Sequence, residues 1–155
     1  MTPALSGLLI RWAHLAAFAL LLGGAILLWG LSRTSRSLEP AEHGRLMLLA
    51  AERYETLFWA AIGLIVATGA GNLGAFGGAL PGRETVWGLR LTIKLAAVLT
   101  FLLLSLLRTL LIVRLKAAGV GVAALPLAKF LQTLYVGTAL LTISILGLAV
   151  WLAHG

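Results

Sequence analysis

The sequence predicts an all-α fold: a four-helix transmembrane bundle, running up-down-up-down, with both termini on the outer (periplasmic) side. Three observations predict it. First, 61% of the 155 residues are hydrophobic and only 11% are charged, with a mean hydropathy of +1.04. A soluble domain carries roughly a quarter charged residues. Second, four apolar runs are each longer than the roughly 20 residues that cross ~30 Å of hydrocarbon. Third, short polar or glycine-rich connectors separate the runs, and antiparallel packing of neighbours follows from short connections. The whole chain, residues 1–155, reads as one integral membrane domain.

The first span runs over about 5–31, with Pro3 just before it, where a missing N–H costs nothing. No cleavable signal peptide is expected, because this run is too long for an h-region and no small-residue cleavage site follows it. A polar connector, Ser32 to Pro40, comes next. The second helix starts near Ala41, and its first turns carry Glu42, His43, Arg45, Glu52, Arg53 and Glu55. These are expected at the interface, with the span proper covering about 46–70. From Gly69 to Gly82 the chain is glycine-rich. Each interior glycine costs a helix about 1 kcal/mol against alanine, so this stretch reads as a loop that can dip back into the membrane. The third span covers about 85–113 and the fourth about 126–152, with Arg114-Leu115-Lys116 and Gly119-Val120-Gly121 marking the turn between them.

Basic residues set the orientation. Arg33, Arg36, Arg45 and Arg53 flank one connector, and Arg108, Arg114, Lys116 and Lys129 flank another on the same side. The opposite side has only Arg83 in a loop. The positive-inside rule therefore places the termini and the glycine-rich loop outside. Trp12, Trp87 and Trp151 fall near the outer ends, as an interfacial aromatic belt requires. The net charge of +7 belongs to these flanks. The basic residues are scattered and form no aromatic-rich basic face, which excludes nucleic acid as a partner. The lipid bilayer is the expected partner, in a bacterial-type inner membrane.

Ionisable residues inside spans point to a functional site. His14 lies nine residues into the first span and Lys94 nine into the third. Both spans run inward, so both side chains reach one level, roughly 13 Å from the outer edge. Arg11 stands three residues above His14 and Arg90 four above Lys94, spacings that share a helix face. A b-type haem needs a neutral imidazole on iron and cations for its two propionates. His14 is the candidate metal ligand, and Arg11 and Arg90 are candidate propionate partners. Lys94 is either a second axial ligand or a further propionate partner. Small residues for a porphyrin face are Ala13, Ala16, Ala17, Gly23 and Gly24 in span one, and Ala60, Gly63 and Ala67 in span two. The plain alternative is that His14 is hydrogen-bonded to a neighbouring helix, that Arg90 and Lys94 snorkel outward, and that the small residues serve close helix packing. His43 and His154 receive no role, His43 being read as solvated.

The motifs also resemble a known family. His14-Leu15-Ala16-Ala17 followed by Gly23-Gly24 resembles the first helix of copper-resistance D (CopD)-like membrane proteins, with Leu22 where those proteins usually carry Trp. Gly88-Leu89-Arg90-Leu91-Thr92-Ile93-Lys94-Leu95 resembles their third helix, and Thr68-Gly69 with Asn72 the end of their second. The His and Lys positions are similar to those of HemJ-type protoporphyrinogen oxidases, in which they are implicated in haem binding. The resemblance thus implies copper handling from one relative and haem b from the other.

Chemistry separates the two. Copper passage prefers clusters of Met, Cys and His. There is no cysteine, and Met1 and Met47 are far from His14. A lysine cation would also repel copper. The expectation is a small haem-binding membrane protein serving electron transfer or haem handling near the outer face. Its alternatives are a copper transport or resistance protein, and an accessory subunit with other membrane or periplasmic subunits as partners. No catalytic residue is assigned, because no carboxylate falls in the outer half of a span to act as a base.

Overall fold

The computed structural model describes residues 3–34, 37–74, 82, 84–117 and 124–153. Four helices make up nearly all of this: α1 (Pro3–Thr34), α2 (Pro40–Gly74), α3 (Val86–Ala117) and α4 (Ala124–Ala153). Each contains a stretch long and apolar enough to cross a membrane. Among the described residues there is no strand. The all-α four-helix bundle expected from the sequence is the observed architecture, and the chain is a multi-pass membrane protein by length and composition.

Buried positions recur at alternating spacings of four and three. α2 buries Met47, Ala51, Tyr54, Phe58, Ala61 and Thr68. α4 buries Leu131, Tyr135, Thr138, Thr142 and Ile145, and α3 buries Phe101, Ser105, Arg108 and Ile112. This 3.5-residue seam is the pattern that packs helices into a left-handed bundle. α1 packs on α2 and α4, α3 packs on α4 and more sparingly on α2, and α2 meets α4 across the middle. α1 and α3 are therefore diagonal neighbours.

Two local features fix the helix ends and contacts. Thr85 caps α3: its hydroxyl accepts the Gly88 N–H at 3.0 Å and donates to the Gly82 carbonyl at 2.8 Å. Such a cap satisfies a backbone donor that the first turn leaves open. At Gly24 the ring of Tyr54 lies so close that an added Cβ would sit 2.5 Å from Tyr54 Cε2. That approach lets the Tyr54 hydroxyl donate to the Leu21 carbonyl at 2.9 Å.

Several expectations are corrected here. α2 does not end where its glycines begin but continues to Gly74. Gly69 and Gly71 pack against His14 and Ile10 of α1, and in hydrocarbon a backbone that leaves the helix forfeits hydrogen bonds that no water replaces. The reading of a re-entrant loop falls on residues 75–81, outside the described residues, as do Arg36, Arg83 and His154. Glu55 and Arg108, expected at interfaces, are buried within the bundle. His43, expected to be solvated, is buried at 3% exposure. Glu42, Arg45 and Arg53 are exposed, as residues at the interface would be, while His43 and Glu55 turn into the bundle.

Candidate functional site

The bundle holds two polar layers. The outer layer contains the residues singled out in the sequence. His14 is half-buried and faces α2, where its Nδ1 lies 2.8 Å from Thr68 Oγ1. Thr68 has one hydroxyl proton, and its oxygen sits 2.6 Å from the Leu64 carbonyl, which can only accept. With the proton directed to that carbonyl, the Thr68 oxygen accepts from His14 Nδ1–H, and the short contact favours this arrangement. A neutral imidazole carries one N–H, and the lone pair is then on Nε2. Metal-binding histidines are oriented in this way, by giving the other ring N–H to a fixed acceptor. The plain alternative, a hydrogen bond to a neighbouring helix, is thus present, and it leaves the second nitrogen available.

Lys94 reaches the bundle from the diagonal helix. It is half-buried and makes no hydrogen bond among the described residues. Arg90, one turn above, stacks on Trp151 of α4 with its guanidinium carbon 4.6 Å from the ring centroid. Its Nε and Nη1 are buried without a hydrogen-bond partner among the described residues. Unsatisfied buried donors are rare, and each calls for a partner. Arg11 is exposed, and no hydrogen bond or ion pair joins it to the other three among the described residues. The structure therefore places His14, Arg90 and Lys94 in the half of the bundle that holds the start of α1 and the end of α4, and leaves Arg11 at its surface.

The small residues do not gather as a porphyrin face would require. Ala60, Gly63 and Ala67 are exposed, Gly24 is filled by Tyr54, and Ala17 is packed in the core. They serve helix packing and the lipid surface. Gly69 lies against the imidazole: a Cβ added there would sit 3.7 Å from His14 Cε1.

The inner layer was not foreseen. Arg108 is 4% exposed and Glu55 6%. Arg108 Nε donates to Glu55 Oε1 at 2.8 Å, Nη2 to Oε2 at 3.1 Å, and Nη1 to Thr138 Oγ1 at 2.6 Å. Thr109 donates to Glu55 Oε2 at 2.5 Å, Tyr135 donates to Oε1 at 3.3 Å, and the Trp59 indole donates to Thr109 at 2.9 Å. The guanidinium also lies over Phe58, its carbon 4.4 Å from the centroid, and near Tyr54 and Tyr135. The carboxylate accepts four donors, and a buried ion pair endures only when so satisfied. The signal for this layer was spacing: Phe101, Ser105, Arg108 and Ile112 mark one face of α3, and Arg108 falls on it.

The two layers differ in what they can do. In the inner one the charges cancel and the carboxylate accepts four hydrogen bonds. The outer one has a ring nitrogen with a free lone pair and two half-buried cations, with no carboxylate at that level. It suits a dianionic ligand with a metal beside it. Among the described residues no three His, Cys, Asp or Glu come together, so a copper ion would find one imidazole and no further protein ligand of those types. Comparison of the chain with protein-family models, with curated proteins and with solved structures returns no match.

Proposed function

We propose that this chain binds a b-type haem in the outer half of the membrane and serves electron transfer or haem handling there. His14 Nε2 would ligate the iron, and Arg90 and Lys94 would hold the two propionates. The observation that supports the reading is the contact from His14 Nδ1 through Thr68 to the Leu64 carbonyl, which favours the tautomer that a metal needs. The orphaned guanidinium nitrogens of Arg90 support it independently, since a carboxylate would satisfy both donors at once. When bound, a haem supplies a one-electron iron couple. The chain's own residues orient the imidazole, neutralise the propionates and keep bulk water from the ring. The setting is a bacterial-type inner membrane with both termini periplasmic, as the distribution of Arg and Lys favours.

The test is the absorption spectrum of the full chain, purified from cells supplied with haem. A Soret band that disappears in His14→Ala, with helix content unchanged, is the expected outcome. A wild-type protein without a Soret band under those conditions refutes the proposal.

A further inference from the structure

A groove of about 310 Å³ runs between α3 and α4 on the lipid-facing side, within the range of small-molecule sites. Its walls are apolar, with Phe101, Leu104, Leu107 and Leu141 among them. Its floor is not. Arg108 and Ser105 both line it. Ser105 is 3% exposed and its hydroxyl has no hydrogen bond among the described residues. That is anomalous within these two helices. Thr92, Thr100, Thr133, Thr138, Thr142 and Ser144 all donate to the carbonyl four residues back. Ser105 does not, and it faces the groove. Of the five guanidinium N–H groups of Arg108, two likewise lack a hydrogen bond.

The chemistry of the occupant follows from charge and depth. The Arg108 charge is cancelled by Glu55, so a carboxylate head would bring an uncompensated charge into low dielectric. The head must be neutral and must accept hydrogen bonds. Ser105 lies nine residues before the exposed Arg114, about 13 Å deeper in the membrane. Glycerolipid ester groups stay near the hydrocarbon edge, about 15 Å from the centre, and do not reach that level. We infer that the groove binds a lipid-soluble quinone, whose ring carbonyls accept from Ser105 and Arg108 while its tail lies along the leucine walls. This inference does not rest on the haem reading.

The test uses the full chain in phosphatidylcholine nanodiscs and an azido-ubiquinone photolabel, mapped by peptide mass spectrometry. Label on groove-lining residues of α3 and α4, displaced by decylubiquinone but not by oleate or decanol, is expected. A Cβ at Gly137 meets nothing within 4 Å, and Gly137 lines the groove. Gly137→Leu therefore starts from an open Cβ position, fills part of the groove and should cut labelling at least tenfold. Ser105→Ala should weaken decylubiquinone competition about three- to tenfold, the value of one neutral hydrogen bond. Circular dichroism checks that both variants keep their helices. Label spread evenly over the lipid-facing helices, or unchanged in Gly137→Leu, overturns the inference. Equal displacement by oleate also overturns it, and means the groove takes an ordinary acyl chain. The Soret band, read on the same samples, reports the haem site separately.

Discussion

Replacing Glu55 by methionine tests the inner layer most directly. The variant leaves a guanidinium at 4% exposure with no counter-charge. It also removes the acceptor of Tyr135, whereas Thr109 can return its proton to the Ser105 carbonyl at 2.9 Å. Breaking a buried pair by removing one partner costs about 3–5 kcal/mol. The face of Phe58, 4.4 Å from the guanidinium carbon, offsets part of this, so about 3 kcal/mol is expected. The double variant Glu55→Met, Arg108→Met behaves differently. It leaves no charge, Thr138 still donates to the Leu134 carbonyl at 2.9 Å, and Trp59 still bonds Thr109. Only the Tyr135 hydroxyl is orphaned, at about 1–3 kcal/mol. The double variant should thus be the more stable of the two. Unfolding in mixed dodecyl maltoside and SDS micelles, followed by tryptophan fluorescence, measures both. A double variant as unstable as Glu55→Met, or a single variant within 1 kcal/mol of wild type, refutes the account of the pair.

Three smaller predictions follow from single contacts. Gly24→Ala should destabilise by about 1–3 kcal/mol through overpacking, because the Tyr54 ring in its path is pinned by its hydroxyl; Gly23→Ala, with nothing within 4 Å, should be neutral or better in the same unfolding assay. Lys116→Ala removes the ion pair to Glu52, whose side chains are 57% and 40% exposed, and should change stability by less than about 1 kcal/mol. Thr68→Val removes the acceptor of His14 Nδ1–H; if haem is bound, its retention on a haem-transfer assay to apomyoglobin should fall about 10–100-fold, with α2 intact by circular dichroism.

The fold was legible because span length and connector composition are read directly from hydropathy. Which face of each span turns inward was not. In a lipid-facing bundle leucines cover the outside as readily as the core: Leu20, Leu27 and Leu107 are each more than 60% exposed. Hydropathy then has no period to follow, and the inward face is marked by its few polar and small residues. Arg108 was assigned to a connector because Arg114 and Lys116 follow it closely. Its place at the alternating spacing of Ser105 and Ile112 was the better guide. Glu55 was lost among Glu52 and Arg53 for the same reason, although Tyr54 and Phe58 beside it belong to the seam. In the outer half the sequence led to Arg11, His14, Arg90 and Lys94 because these are the ionisable residues inside spans one and three at that level, although Arg11 turns out exposed. It could not show Thr68 as the acceptor for His14, since that pairing depends on how α1 and α2 are rotated against each other.

Burial alone does not distinguish polar groups that hold a bundle together from those that await a ligand; satisfaction does. Both layers place cations in a membrane interior, where each is costly. The inner cation has a carboxylate, a hydroxyl and three aromatic faces, and every acceptor around it is used. That arrangement fixes the register of α2, α3 and α4, and leaves only Ser105 and two guanidinium N–H groups unengaged. At the outer level, among the described residues, Arg90 has a ring to stack on but no acceptor for two buried N–H groups, and Lys94 has no counter-ion. A bundle needing only stability would be better served by apolar residues at those positions. The cost makes physical sense if an anionic partner completes the layer, and replacing Arg90 and Lys94 together by methionine decides between the two. A stable, well-folded variant that has lost its Soret band means that the cations serve a ligand. A variant that unfolds shows that they serve the bundle, and leaves the haem proposal with His14 alone.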